Sequence, residues 1–529
     1  MPRILKDKIV VEKLWGGIIP EIEGQRSAHG YEGKDDQYSI SSGISFFRLG
    51  RLGHIAPGEV FSPITDGSDY IDEVVLNGEV ASNGRAFFVQ RDGKVIRTNV
   101  GGTSTTDGTD VAITGIHAGH TVQSSYNPDL VIIKDAANVP NEYVVFSWED
   151  DVDADVGIMT PGFGSINWNW FSGLTGGGSL YADVPLKIVQ AMDGNVYFTN
   201  GQYLASATMT RNVALTAATG NAAALNLGAG WTASGIAVYQ EYIATIGYRA
   251  TAYVSGVSHG LCRVWIWDGY SPDPNKIYDI QDNFAEGIFY DGANLFAITN
   301  GRNNSMKIWQ LGDRGFVLKF ESATEGTSSN PLQGGIEYYQ NSLHFVSRTD
   351  KVYQLFGDGL HIRTRVTHDG ETHSTAIGML KNLYQSQLFI GMARGAGGAA
   401  PHEVYYSDQF TEYFINADFR SKLYVLPHRA TLRRMRIYFS QFGSGASIRV
   451  SLFKDYGAYV IGGNADLLAA AEHTITNATH GALAHYEMPL NISDVNSFYF
   501  AIRFNHTAIT DTAAIIRKIV FDYEYDVDV

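Results

Sequence analysis

A strand-and-turn pattern that returns about every fifty residues constrains this chain more than any other feature. EGIFYDGANLFAITNG (286–301), followed by MKIWQLGDRG (306–315), reads as three short strands and two tight turns. Ile288 and Tyr290 alternate on the first strand, Leu295 and Ala297 lie on the second, and Ile308 with Gln310 lie on the third. The order returns in GGIEYYQNSLHFVSRTDKVYQLFGDG (334–359), in SGIAVYQEYIATIGY with RVWIWDG (234–269) and in LKIVQAMDGNVYFTNGQYLASAT (186–208). One such unit cannot bury both faces of so small a sheet, so several must stack or circle.

Counting fixes the register. On the first strand, Ile188, Ile236, Ile288, Ile336 and Ile377 stand 48, 52, 48 and 41 residues apart. On the second, Phe87, Val144, Tyr197, Ala244, Phe296, Phe345 and Phe389 give steps of 57, 53, 47, 52, 49 and 44. A helical repeat of this length would space apolar residues by three and four, and no unit does so. The period fits four-stranded blades, and the expectation is an all-β fold: a seven-bladed β-propeller over 70–425, with six to eight blades allowed.

The remainder divides into residues 1–69, an N-terminal arm with strands able to close the propeller, and 426–529, a β-sandwich of jelly-roll type. In the arm, Arg3, Lys6, Lys8 and Lys13 precede LWGGIIPEIEG, whose Trp15 sits in an extended, Gly-punctuated run. Such an arm either wraps its own domain or contacts a neighbouring subunit. SGISFFRLG and RLGHIAPG, from residue 42 on, supply one or two strands, one of which could complete the last blade. Past Pro427 the strands lengthen. Met435, Ile437 and Phe439 face one way and Arg434 and Arg436 the other; Ile448, Val450 and Leu452, then Phe498, Phe500, Ile502 and Phe504, then Ile519 and Phe521 repeat the alternation.

Composition narrows the chemistry. With 57 Gly, 30 Tyr and 27 Phe in 529 residues, the chain is turn-rich and aromatic enough to bury a large core. A lone Cys262 excludes an internal disulfide framework. MPRILKDKIVVEKLWGG places charges where the apolar stretch of a secretory signal would sit, and no run approaches the eighteen apolar residues of a membrane span. A formal charge of −16 disfavours a general DNA-binding surface, which needs clustered Lys and Arg.

Several stretches invite a site. Asp151, Asp153 and Asp155 alternate in WEDDVDADVG like the start of a calcium loop, but the sixth and twelfth positions are Val156 and Gly162 where such a loop wants Gly and Glu; an acidic turn is the simpler reading. Trp168, Trp170 and Phe171 in SINWNWFSGLTGGGS could form a stacking platform for a partner or a glycan, or could plug a gap between blades. His361, His368 and His373 are spaced by seven and five, which matches no zinc pattern. Arg429, Arg433, Arg434 and Arg436 form the one notable basic cluster, a solvated or intersubunit face, and Asp522, Glu524, Asp526 and Asp528 could pair with a neighbour. No nucleophile elbow, zinc-protease helix, paired-Cys knuckle or phosphate loop is present, so the expectation is a protein without catalytic residues, metal or cofactor.

A signal-less arm, a degenerate GI-x-x-Y blade repeat, the RLGHIAPG segment and a terminal sandwich together resemble the propeller-containing virion proteins of tailed bacteriophages, above all tail nozzle or hub proteins of short-tailed phages. The resemblance spans nearly the whole chain and carries no diagnostic motif. It implies a homo-oligomeric, hexameric ring in the virion tail, other tail subunits as partners, and viral DNA passing an acidic wall without specific binding. It brings no catalytic residues. A receptor-binding or decoration protein gripping host glycan, and a polysaccharide-degrading propeller enzyme, are the alternatives.

Overall fold

The computed structural model of the protein describes residues 3–11, 17–18, 37–42, 44–48, 51–57, 61–63, 75–90, 95–98, 128–134, 141–149, 153–160, 166–208, 219–254, 257–301, 305–322, 335–339, 342–346, 351–356, 359–365, 375–382, 387–393, 403–407, 416–454, 471–480, 484–507 and 514–527. The chain divides into two compact units, neither continuous in sequence. One holds Met1–Phe61, Lys351–Val366 and Ser407–Val529; the other holds Ser62–Asp350 and Thr367–Tyr406.

Six strands come first: β1 (Arg3–Val11), β2 (Gly17–Ile18), β3 (Gln37–Ser42), β4 (Ile44–Arg48), β5 (Arg51–Pro57) and β6 (Phe61–Pro63). Blade one is β7 (Val75–Val80), β8 (Ala86–Gln90) and β9 (Val95–Arg97). Blade two is β10 (Leu130–Lys134), β11 (Glu142–Glu149), β12 (Ala154–Met159) and β13 (Ile166–Asn167). Blade three is β14 (Ile188–Gln190), β15 (Val196–Asn200), β16 (Tyr203–Thr208) and β17 (Thr219–Asn226). Blade four is β18 (Thr232–Tyr239), β19 (Tyr242–Val254), β20 (Val257–Trp267) and β21 (Lys276–Ile280). Blade five is β22 (Phe284–Tyr290), β23 (Leu295–Asn300), β24 (Met306–Gly312) and β25 (Gly315–Ser322). Two hairpins follow, β26 (Ile336–Tyr339) with β27 (Ser342–Val346) and β28 (Lys351–Phe356) with β29 (Gly359–Arg365). Blade six is β30 (Thr375–Asn382), β31 (Gln387–Ala393) and β32 (Glu403–Ser407), with β6 as its fourth strand.

The fold is therefore all-β, with six blades in a propeller arrangement among the described residues, one fewer than the seven expected. The difference lies in the 334–359 repeat. Its β26–β27 half stays in the propeller unit and packs on β30, whereas its β28–β29 half belongs to the other unit, where Leu360 pairs in parallel with Gly17 of β2.

Each second strand is apolar because neighbouring blades cover both of its faces, so the alternation of a half-exposed strand is lost. Every position of β8, β15, β23 and β27 is buried. The first strands are nearest the axis: β7, β10, β14, β18 and β22 touch in succession, and β30 touches β7. Four first strands carry a register shift near the same place, at Val75/Asn77, Ala233/Gly235, Ala285/Gly287 and Ala376/Gly378. Such a bulge inserts one residue and sharpens the local twist. It also corrects the sequence register of blade six: Gly378 matches Gly287, so Met379 and not Ile377 is the counterpart of Ile288.

The first and last blades meet through side chains. Phe88 and Phe389 form an edge-to-face pair at 5.5 Å. A Cβ at Gly391 would stand 2.3 Å from the carbonyl oxygen of Val75, so only glycine lets the backbones approach there.

In the second unit the remaining elements are β33 (Asn416–Ser421), β34 (Tyr424–Phe439), β35 (Ala446–Lys454), β36 (Ala471–Thr476), α1 (Asn477–His480), β37 (His485–His506) and β38 (Ile516–Val527). These strands join one hydrogen-bonded path that is largely antiparallel, β28-β29-β2-β3-β33-β37-β34-β38-β5-β4, with β1 on β38 and β35–β36 on β37. The ladder is unbroken because β37 is long enough to serve two places. Its first part pairs with β34, and its last part pairs with β33 and β35. The alternating apolar residues Met435, Ile437, Phe439, Ile448, Val450, Leu452, Phe498, Phe500, Ile502, Phe504, Ile519 and Phe521 are all buried in a single core. Phe521 packs on both Phe498 and Phe500, at 4.9 and 5.3 Å. One outer strand of this sheet is the N-terminal β1, laid antiparallel along β38 of the same chain from Arg3↔Val527 to Val11↔Ile519.

Candidate functional site

Adjacent first strands of a propeller run side by side without a shared ladder, so their backbone polar groups need other partners. Here polar side chains on one blade reach the backbone of the next. Asp129 accepts N–H groups from Leu130 (3.0 Å) and, one blade on, from Ile188 (2.7 Å), and also accepts from the Asn77 amide of blade one. Glu79 accepts from the N–H of Ile132. Gln190 works in both directions, accepting from Lys134 N–H at 3.0 Å and donating to Lys134 C=O at 2.8 Å, as a strand backbone would. Further round, Ser234 donates to the carbonyl of Ala285 at 2.9 Å. Outside the axis, Glu142 takes both the N–H and the hydroxyl of Ser82, and Glu149 takes the N–H of Asp183, a non-glycine residue at φ 59.

Sequence reasoning missed these brackets. The available signal was the polar residue breaking an apolar first strand, Glu79 in VLNGEV and Gln190 in IVQ.

Buried ionisable groups accompany them. Lys187, fully enclosed, has its ammonium pKa lowered by burial, against the opposing pull of Asp129. Burial likewise raises the Cys262 thiol well above its ordinary value, so it stays a thiol on β20. In blade five, Asp282 is raised chiefly by burial; Thr299 and Lys307 oppose that shift by hydrogen bonding and charge.

Of the three acidic residues read as a calcium-loop start, Asp151 lies outside the described residues, Asp153 is exposed and Asp155 is buried. The Asp155 carboxyl, pushed up to about 6 by burial, accepts N–H groups from Val156 (2.7 Å) and Ser172 (3.3 Å). Its oxygens therefore hold the turn that contains Ser172. Among the described residues no group of three potential ligands is close enough to hold a metal.

The aromatic platform does not form. Trp170 and Phe171 are buried in the core shared by blades two and three, where Phe171 meets Phe198 edge-on at 4.6 Å. Trp168 is half-buried against Phe146 at 5.3 Å, and its carbonyl accepts the indole N–H of Trp148. The segment turns rather than extends, because a close approach is built into it: a Cβ on Gly177 would meet the Phe171 carbonyl at 2.2 Å. Trp15, His368 and His373 lie outside the described residues, as does the side chain of His361.

The basic cluster and the C-terminal acids pair with each other inside the chain. Asp522 on β38 accepts from Arg436 (2.9 and 3.0 Å) and from Arg434, both on β34. Arg434 also reaches Glu487 of β37 at 3.2 Å, Arg433 reaches Glu524 at 2.7 Å, and Arg429 lies 3.5 Å from Asp494. Strand register explains this, since β34 runs between β37 and β38 and sets Arg436 beside Glu487 and Arg434 beside Asp522. The Asp526 side chain lies outside the described residues.

No protein-family model matches the chain, and no curated protein matches it. Solved structures do. The β-propeller domain of Cps50 (Swd1) from Myceliophteria thermophila aligns over 66% of this chain and 100% of its own, with 8% identity and a TM-score of 0.40. Raptor from Chaetomium thermophilum aligns over 68% of this chain and 29% of its own, with 10% identity and a TM-score of 0.43. The chain spans less than a third of Raptor.

Proposed function

We propose that this protein is a structural subunit of a tailed-bacteriophage virion, a tail nozzle or hub component whose copies form a ring round the DNA exit channel. The observation that carries the reading is the use made of its polar residues. Asn77, Glu79, Asp129, Gln190 and Ser234 are spent tying blade to blade, which suits a stiff frame. The acidic balance of −16 supports passage of DNA, because like charge on wall and phosphate prevents sticking. A hexameric ring in the tail, held to other tail subunits, follows from the resemblance noted above.

Light scattering and negative-stain microscopy of the purified protein test it. A ring-sized particle that does not retain duplex DNA at physiological salt is expected. A monomer that binds host glycan saturably would favour the receptor-binding alternative, and release of sugar from polysaccharide would favour an enzyme.

A further inference from the structure

We propose that His473, His480 and Tyr486 form an acid-released clip that holds β36 and α1 against the start of β37. Among the described residues β36 is an edge strand that forms a ladder with β35 alone. The His473 ring stacks face to face on Tyr486 at 4.5 Å, bridging two strands that share no ladder. His480, at the end of α1, packs edge-on against the same Tyr486 at 4.5 Å and against His473 at 5.7 Å. Three rings from three elements thus close one end of the sheet's core.

The surroundings make this contact dependent on a neutral imidazole at His473. His473 shares the inward side of β36 with buried Ile475, opposite buried Val450 of β35, and its Nε2 is enclosed without a hydrogen-bond partner. The charged neighbours do not compensate. On β36 and β35, Glu472 and Arg449 belong to the opposite side of the pleat, Glu472 accepting from Ser451. On β37, Glu487 is held by Arg434, and His485 stacks on Tyr438 of β34 at 5.5 Å. On α1 the facing group is the second imidazole ring, His480.

Burial first, and then the charge of His480, lower the His473 pKa from its ordinary 6.5. A histidine lowered in the folded state contributes stability that is complete above the unfolded value and is lost as pH falls from there through the lowered folded value. Acid therefore places a positive charge on the His473 ring against an enclosed wall, and β36 leaves. The released edge of β35 then has unpaired backbone groups, which another strand can take up.

Amide hydrogen exchange of the full chain, read across residues 471–480 at about pH 7.5 and about pH 5.5 and corrected for intrinsic rates, tests the clip. Protection should fall by about two- to tenfold at the lower pH while the strands of blade four keep theirs. His473→Phe, which retains a stacking ring and cannot be charged, should stay protected at both values; Tyr486→Ala should lose protection at both. Equal protection of the parent protein at the two pH values overturns the proposal whether or not the variants fold, and so does an unchanged pH loss in His473→Phe.

Discussion

Thr299 gives its hydroxyl proton to the buried carboxylate of Asp282 at 2.5 Å. The same hydroxyl oxygen receives the indole N–H of Trp309 from the next strand at 2.7 Å, and Lys307 approaches the other side of Asp282 at 3.4 Å. One small side chain therefore satisfies two larger ones. Thr299→Val keeps the shape but leaves Asp282 and the Trp309 N–H short of a partner, and should cost about 2–4 kcal/mol, whereas Thr299→Ser should cost much less. Urea denaturation of the two variants measures the difference.

Asp155 should make the protein more stable in mild acid. Its carboxyl titrates at about 6 in the fold against 3.8 for a free side chain. A carboxyl raised in this way contributes stability that is fully present below the free value and is lost as pH rises through about 6. Asp155→Asn, which keeps an oxygen for the Val156 N–H, should match the parent protein near pH 4 and exceed it by roughly 1–2 kcal/mol above pH 7. A pH series of melting temperatures reads this crossover.

Asp418 and Arg503 form a paired fork on β33 and β37, at 2.6 and 3.3 Å, with both side chains almost wholly buried. Removing one partner strands the other charge away from water. Asp418→Ala should therefore destabilise by about 3–5 kcal/mol, and Asp418→Ala with Arg503→Met should recover much of the loss. Chemical denaturation of the single and double variants completes the cycle.

Asp522 separates two guanidinium groups, and its loss should be felt as repulsion between Arg434 and Arg436. Asp522→Ala should lower the urea midpoint at low ionic strength, and the deficit should shrink in about 1 M salt, where the Debye length is about 3 Å. Particle size should not change, because the acid's partners lie in its own chain. A shift from larger particle to monomer in this variant would return the cluster to a subunit interface.

The parts of the fold legible in the sequence are those set by local periodicity. All seven second-strand residues counted by spacing, Phe87, Val144, Tyr197, Ala244, Phe296, Phe345 and Phe389, lie buried in second strands of their repeats. The apolar alternation of β34, β37 and β38 also faces one core, because period two dictates which side chains share a side. What escaped was decided over distance. Nothing local in KVYQLFGDG distinguishes strands that join β2 from strands that finish a blade. Two Trp in SINWNWF read as a platform only while the segment is taken as extended; its turn is fixed by close contacts of Gly177 with backbone. The Arg cluster and the C-terminal acids were visible as opposite charges, but their pairing needed the strand order β37-β34-β38.

The pairing of β1 with β38 places Arg3 across from Val527. Backbones that face each other in such a ladder are about 5 Å apart, so a linker of a few residues could join the start of β1 to the end of β38 covalently. The polypeptide could then be reopened at an exposed hairpin such as Asp291–Asn294 to give a circularly permuted protein.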